Sequence, residues 1–439
     1  MFIMLKWLST FATRFVRNPR GNVAIIFALS LVPVVFLAGM ALDFSSAIEK
    51  RARLNAAADA AALAAVTPKM ASQAIAIAQA TAQNVFTGEA STVTGLSYNT
   101  PNINIVQNGL VRTATVSYTA ASSNAFAGVL RLPTWPISGS STATSSYSPN
   151  INFYMLLDNS PSMDIAATTA GINTMVANTT AQGGCAFACH ESNPSADNLG
   201  NKGGVDNYQL AINLGVVTRI ENMATATQSL MTTASTTATA TNSTYKMAIY
   251  TFNGSGTNTI QTLTGNMTTA AAAAATINVL EVYDNNWLTK TNQNNDTDTN
   301  FETAMSAMNT LMPNPGSGLL GNAPQEVLFL VTDGVDDEVN VSCSQALSGT
   351  RCQEPFNTTW CTSIKARGIF IAVLYTEYLP LPTNAWYNDW IAPFQSQIGP
   401  NMESCASPGL FFQVTTDGDI TAAMQTLFQE AISSARLSQ

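Results

Sequence analysis

Hydrophobic residues along this chain fall into three regimes, each predicting a different kind of element. From Gly21 to Leu42 the sequence GNVAIIFALSLVPVVFLAGMAL carries no charge. At about 1.5 Å per residue, a helix of that length crosses the roughly 30 Å hydrocarbon core of a bilayer. Pro33 can be tolerated inside such a span. Residues 45–67, SSAIEKRARLNAAADAAALAAVT, contain no Gly or Pro and are dense in Ala, the strongest helix former. The pattern predicts one rod leaving the membrane, with an Ala-rich helical extension over 43–84. Its small Ala faces would suit close packing against similar subunits.

Residues 85–150 alternate short apolar runs with turn residues, and VRTATVSY shows the period of two expected of a strand. A small β-rich module is expected here. Over 151–439 the pattern changes again. Apolar runs FYMLLD, YKMAIYTF (245–252), VLFLVTD, IFIAVLYT (369–376) and LFFQVTT (410–416) alternate with helical periodicity over 208–233, 268–281, 300–312, 357–367 and 419–436. That alternation predicts a doubly wound α/β domain with its site at the carboxyl ends of the strands. In the final helix Ile420, Met424, Leu427, Phe428, Ala431 and Ile432 share one face. Gln425, Gln429 and Glu430 then face water.

Charge changes the picture at the N-terminus. Residues 1–53 hold seven Lys/Arg against two Asp/Glu, whereas the rest of the 439-residue chain is acidic and the whole carries −9. Lys6, Arg14, Arg17 and Arg20 precede the apolar run and Asp43 follows it. The positive-inside rule places residues 1–20 in the cytoplasm and the bulk of the chain in the periplasm or outside the cell. A cleaved signal peptide is the alternative, but its apolar region is usually shorter. The acidic body argues against nucleic-acid binding. Charged residues make up only 10% of the chain, so Ser, Thr, Asn and Gln must cover much of the surface.

The span together with LNAAADAAALAAV resembles the N-terminal signature of TadE/TadG-like assembly proteins of Tad (Flp) pili. The AADAAALAA block is its most specific part. Pilin-like relatives carry a Glu five residues into the apolar run, where this chain has Ile26. The departure argues against prepilin processing and against a polymerising pilin.

The sharpest chemical signal is INFYMLLDNSPSM, where an apolar strand runs into Asp158, Ser160 and Ser162. Spacing of two, followed by a turn at Pro161, lets these side chains wrap round one point. One carboxylate and two hydroxyls suit a hard cation. Alone the pattern is weak, because Asp and Ser also fill ordinary turns. Two later segments strengthen it: DTDTNFETAM puts Thr297 before an amphipathic helix, and LFLVTDG ends a strand at Asp333. The three loops resemble, in order, the metal-ion-dependent adhesion site of von Willebrand factor A domains. The resemblance assigns Asp158, Ser160, Ser162, Thr297 and Asp333 as ligands, with Thr299 as the substitute if the loop register shifts by two. It implies a divalent cation, Mg²⁺ before Mn²⁺ or Ca²⁺, completed by a partner's carboxylate. It also implies that partner binding can be coupled to movement of the final helix.

Six cysteines follow the span, and an even count in an exported region suggests disulfides. Fifteen connectivities are possible. Short spacing favours Cys185–Cys189 and Cys343–Cys352, leaving Cys361–Cys405. GGCAFACH holds the single histidine, His190. Its C-x-x-x-C-H spacing is one residue too long for haem attachment, and zinc lacks an evident fourth ligand. The segment belongs to an insertion, 164–206, that resembles TadG-like proteins and stands beside the first metal loop, where it could shape partner access.

No H-E-x-x-H, phosphate loop or Ser-His-Asp order occurs, so an enzyme is not expected. The leading expectation is a membrane-anchored, exported protein of pilus assembly or surface adhesion that recognises protein partners, other assembly subunits among them, through a metal. The alternative is a structural minor pilus or periplasmic scaffold with an idle site. The topology is directly testable: a reporter fused after residue 60 should be active only on the export side of the membrane. Cytoplasmic activity would overturn both the orientation and the disulfide argument.

Overall fold

A parallel sheet is covered on both faces, so its strands must be apolar almost throughout. The computed structural model of the protein, which describes residues 21–194, 205–283, 298–339, 342–347, 351–382 and 384–437, meets that demand in its second half. Contacts divide the chain into two units, up to Ser146 and from Tyr147 onward.

In the first unit α1, Gly21–Ala65, runs unbroken for 45 residues with Pro33 inside it. It is the one helix among the described residues long and apolar enough to cross a membrane. Beyond Asp43 the same helix becomes a core element. Leu54, Ala57, Ala58, Ala61, Ala62 and Ala65 are buried against Ala78, Ala82 and Phe86 of α2, Ile75–Ser91. This Ala face thus packs within the chain. Small side chains allow the close approach. The helical extension expected over 43–84 is broken: Thr67 takes an extended conformation before Pro68, as residues preceding proline prefer, and a short turn leads into α2.

Strands β1 (Leu96–Tyr98), β2 (Asn102–Asn108), β3 (Val111–Ser123) and β4 (Thr134–Ser146) close this unit. The long β3 pairs antiparallel with β4 along its whole length; its other edge is shared by β2 and β1. Arg112 on β3 is buried, and its guanidinium donates to Gln107 Oε1 and to the carbonyls of Met70 and Gln73. It thereby ties the inter-helix turn to the sheet.

The second unit begins with β5 (Ile151–Asp158), buried at every position. Helices α3 (Thr169–Asn178), α4 (Asn207–Leu214) and α5 (Arg219–Thr241) follow. The single helix expected over 208–233 is two helices, because Gly215 adopts a left-handed conformation (φ 66°) and caps α4. Next come β6 (Tyr245–Asn253), β7 (Gly256–Thr264), α6 (Met267–Ala274), α7 (Phe301–Leu311) and β8 (Gln325–Thr332). A hairpin of β9 (Val335–Val339) and β10 (Arg351–Pro355) precedes α8 (Thr359–Ala366). The chain continues through β11 (Phe370–Thr376), α9 (Gln395–Cys405), β12 (Phe411–Val414) and α10 (Ile420–Leu437).

The six-stranded sheet has the order β12-β11-β8-β5-β6-β7, parallel except for the edge strand β7. The chain winds outward from β5 in one direction and then returns to its other side at β8. The switch point of this doubly wound fold therefore lies between β5 and β8. One face of the sheet packs on α5, α6 and α10, the other on α7, α8 and α9. The apolar stripe of α10 is buried as its periodicity required, and Phe428 lies 4.9 Å from the Phe153 ring and 5.8 Å from Tyr245. Disulfides Cys343–Cys352 and Cys361–Cys405 staple the hairpin and join α8 to α9.

Phe428→Ala should cost about 3–5 kcal/mol, the usual loss for emptying a buried aromatic site. Urea denaturation of the full chain measures it. A loss under about 1 kcal/mol would mean that α10 does not hold the sheet in this way.

Candidate metal centre

The segment after β5 has to turn sharply, and Pro161 begins a short 3₁₀ turn, Pro161–Asp164, that does this. The turn folds the two serines back toward the strand end. Ser160 N–H donates to Asp158 Oδ1 at 2.9 Å, and the Ser160 and Ser162 hydroxyls are 3.0 Å apart. Across the switch point, the chain leaves β8 through Thr332 and Asp333. Val335 N–H donates to Asp333 Oδ1 at 3.3 Å, and the Ser162 hydroxyl favours the charged form of the same carboxylate. Four of the five residues singled out in the sequence, Asp158, Ser160, Ser162 and Asp333, are thus brought together. Asp158, Ser160 and Asp333 are fully buried. Thr297 lies outside the described residues. Thr299 is buried and its backbone exchanges two hydrogen bonds with Asp337, 3.0 and 2.9 Å, which fixes the start of α7 beside β9.

Two further residues shape the site and escaped the sequence analysis. Thr332 Oγ1 donates to Asp158 Oδ2 at 2.5 Å and accepts from Gly334 N–H at 3.0 Å, so it orients one acid and the turn behind the other. Its adjacency to Asp333 was the only available clue. Arg219, the first residue of α5, is buried, and its guanidinium charge acts on Asp333. Nothing in the local sequence pairs Arg219 with a residue so far along the chain. Gly334 is required by the geometry. Its φ is 78°, and a Cβ there would lie 2.6 Å from Ile398 Cγ2.

The electrostatics follow from placing two carboxylates in a dry, shared site. Burial and then the charge of Asp333 push Asp158 up to about 7, against the hydrogen bonds of Ser160 and Thr332. Burial also raises Asp333, opposed by Ser162 and Arg219. Asp333 Oδ2 is buried without a hydrogen bond. Closely placed acids, neutral hydroxyls and an unpartnered carboxylate oxygen fit a hard divalent cation. Asp158, Ser160, Ser162 and Asp333 are the residues that would hold it.

The insertion is paired back onto this loop. Ala188 N–H donates to the Asp164 carbonyl at 2.8 Å, and Ile165 bridges Phe187. The pairing expected from short spacing does not form: Cys185 and Cys189 are free thiols, and Cys185 donates to the Phe187 carbonyl at 3.6 Å. A spacing of four residues permits a disulfide but does not impose one. His190 Nδ1 lies 2.8 Å from Asp206 Oδ2, and its ring packs on Tyr208 with centroids 4.3 Å apart. Asp206 also caps α4 through Gln209 N–H. The histidine is thereby part of a local framework.

Strand order and switch point define a doubly wound α/β domain, the fold that the resemblance to von Willebrand factor A domains implied. The family model described as putative Flp pilus-assembly TadE/G-like matches residues 21–80, so the N-terminal segment is similar to that family. Among solved structures, the vWF domain of the type V pili tip protein Mfa5 from Porphyromonas gingivalis is similar at 8% identity and TM-score 0.37, over 67% of this chain and 99% of that one. The PilB minor pilin from Streptococcus sanguinis is similar at 11% identity and TM-score 0.34, over 78% of each chain. These likenesses are loose, and the fold assignment rests on the strand order and crossovers. No curated protein matches the chain.

A raised carboxylate pKa makes the folded chain hold protons that the unfolded chain has released. For Asp158 that contribution is present in acid and is lost as pH rises from about 4 to about 7. In chelator, the urea midpoint should therefore fall across this window, and Asp158→Asn should flatten the fall. Equal slopes in both proteins would mean that the acid pair is not stressed.

Proposed function

We propose that this chain is an exported component of Tad/Flp pilus assembly or surface adhesion. In this proposal it recognises protein partners through a divalent cation held by Asp158, Ser160, Ser162, Thr297 and Asp333. The observation that carries the proposal is the buried meeting of Asp158 and Asp333 at the carboxyl ends of β5 and β8, with Asp333 Oδ2 left without a hydrogen bond. When bound, the cation would supply a position for a carboxylate from outside. The chain's own residues supply the rest. The two acids provide negative charge, the serine hydroxyls provide neutral oxygens, and Thr332 fixes the direction of Asp158. A site with two carboxylates leaves a divalent cation's field less quenched than an all-acidic cage would. That favours an acidic partner over water. The basic residues preceding the span support an N-terminus in the cytoplasm and a domain on the export side.

One observation favours a second proposal. The buried guanidinium of Arg219 offers Asp333 a counter-charge from within the chain. A scaffold with an idle site could rely on that charge alone. Titration of the full chain with Mg²⁺ or Mn²⁺ separates the two. At a hundredfold excess over its Kd, a bound ion should stabilise the chain by about 2.7 kcal/mol, which raises the melting temperature by a few degrees. Asp158→Ala should abolish the rise. Equal melting with either ion and with chelator would favour the scaffold. A pull-down from membranes with and without chelator then tests whether any partner depends on the ion.

A further inference from the structure

The apolar run of α1 ends at Leu42, and the structure fastens a loop to that end. The Asp43 carboxylate accepts from three successive N–H groups, Ala125 at 2.9 Å, Phe126 at 2.9 Å and Ala127 at 2.7 Å. One turn earlier, the Phe126 ring lies so close to Gly39 that a Cβ there would fall on the ring. Phe126 therefore sits about 5 Å back along the apolar run from its last residue, at the helical rise. The loop so held is FAGVLRL. Its Val129 is 71% exposed, Leu130 50% and Leu132 55%.

Such a loop is costly in water but well prepared for hydrocarbon, where unpaired backbone groups are penalised. Ala127–Leu130 form a 3₁₀ turn capped by Arg131, and Arg131 N–H donates to the Gly128 carbonyl at 3.1 Å. Leu132 N–H donates to the Ala127 carbonyl, and Asn124 Nδ2 covers the Leu132 carbonyl at 2.9 Å. Phe44 and Trp135 stand beside it, their ring centroids 5.4 Å apart, and aromatic residues of this kind gather at membrane–water interfaces.

We infer that residues 126–132 form a second membrane contact, with Phe126, Val129, Leu130 and Leu132 entering the acyl–headgroup boundary of the leaflet from which α1 emerges. The occupant is lipid because the loop is fastened to the spanning helix inside its apolar run. Arg131 then reaches the lipid phosphates, as basic side chains near a membrane surface do. The inference rests on α1 being a membrane span.

The test uses the full chain in vesicles of phosphatidylethanolamine and phosphatidylglycerol, with Cys185 and Cys189 replaced by Ser. An environment-sensitive fluorophore is attached at Val129→Cys, at Val32→Cys within the span, or at Lys69→Cys in the inter-helix turn. Val129 should give a blue-shifted emission that is lost with lipids carrying a shallow nitroxide, and Leu132→Cys should repeat it. Lys69 should show neither effect. If the probe at Val32 is not quenched by any nitroxide lipid, the span itself is wrong. If Val32 is quenched while Val129 behaves as Lys69 does, the loop inference alone is overturned. A blue shift at Val129 that lipid does not quench, and that grows with protein density, would assign the patch to a second copy and also overturn it.

Discussion

Two acids that repel one another have to be buried together at the switch point of the sheet, and much of the second unit is arranged round that constraint. Asp158 and Asp333 come from strands adjacent in space but 175 positions apart in sequence. Every nearby device acts on their charge. Ser160 and Thr332 donate to Asp158, Ser162 and Val335 hold Asp333, and Arg219 places a positive charge behind them. Dry hydrophobic layers on both faces of the sheet make the repulsion strong, because they deny the pair water. The packing that stabilises the domain is thus also what sets the two acids against each other.

The elements legible in the sequence were those whose environment is uniform. The central strands are apolar at nearly every position, and α10 keeps a single buried stripe, so composition and period sufficed. The polar edge strand β7, GTNTIQTLT, has one side open to solvent and carries no such signal. Helix α9 contains Pro400 and a weak stripe, and the acidic β9 forms a strand because Arg351 and Gln353 on β10 neutralise and bond Asp337. Those are tertiary causes, invisible to a local pattern.

The site divides in the same way. Asp158, Ser160 and Ser162 belong to one short turn, and Asp333 directly follows a strand, so the resemblance of these short segments to an adhesion site brought them into view. Thr332 and Arg219 act through atoms that only the folded chain juxtaposes. The cysteines illustrate the limit from the other side. Proximity in sequence suggested Cys185–Cys189, yet that pair remains as thiols, while Cys361 and Cys405, 44 positions apart, are joined because α8 and α9 meet at the same edge of the core.

The continuity of α1 has a mechanical consequence. Here the residues that cross the apolar run and those that form the core of the first unit belong to one unbroken helix, and Asp43 clamps a neighbouring loop to it. With the apolar run in a bilayer, a lateral pull on this unit would reach it as a bending moment on a single rod. The helix would have to tilt or unwind before the module could swivel.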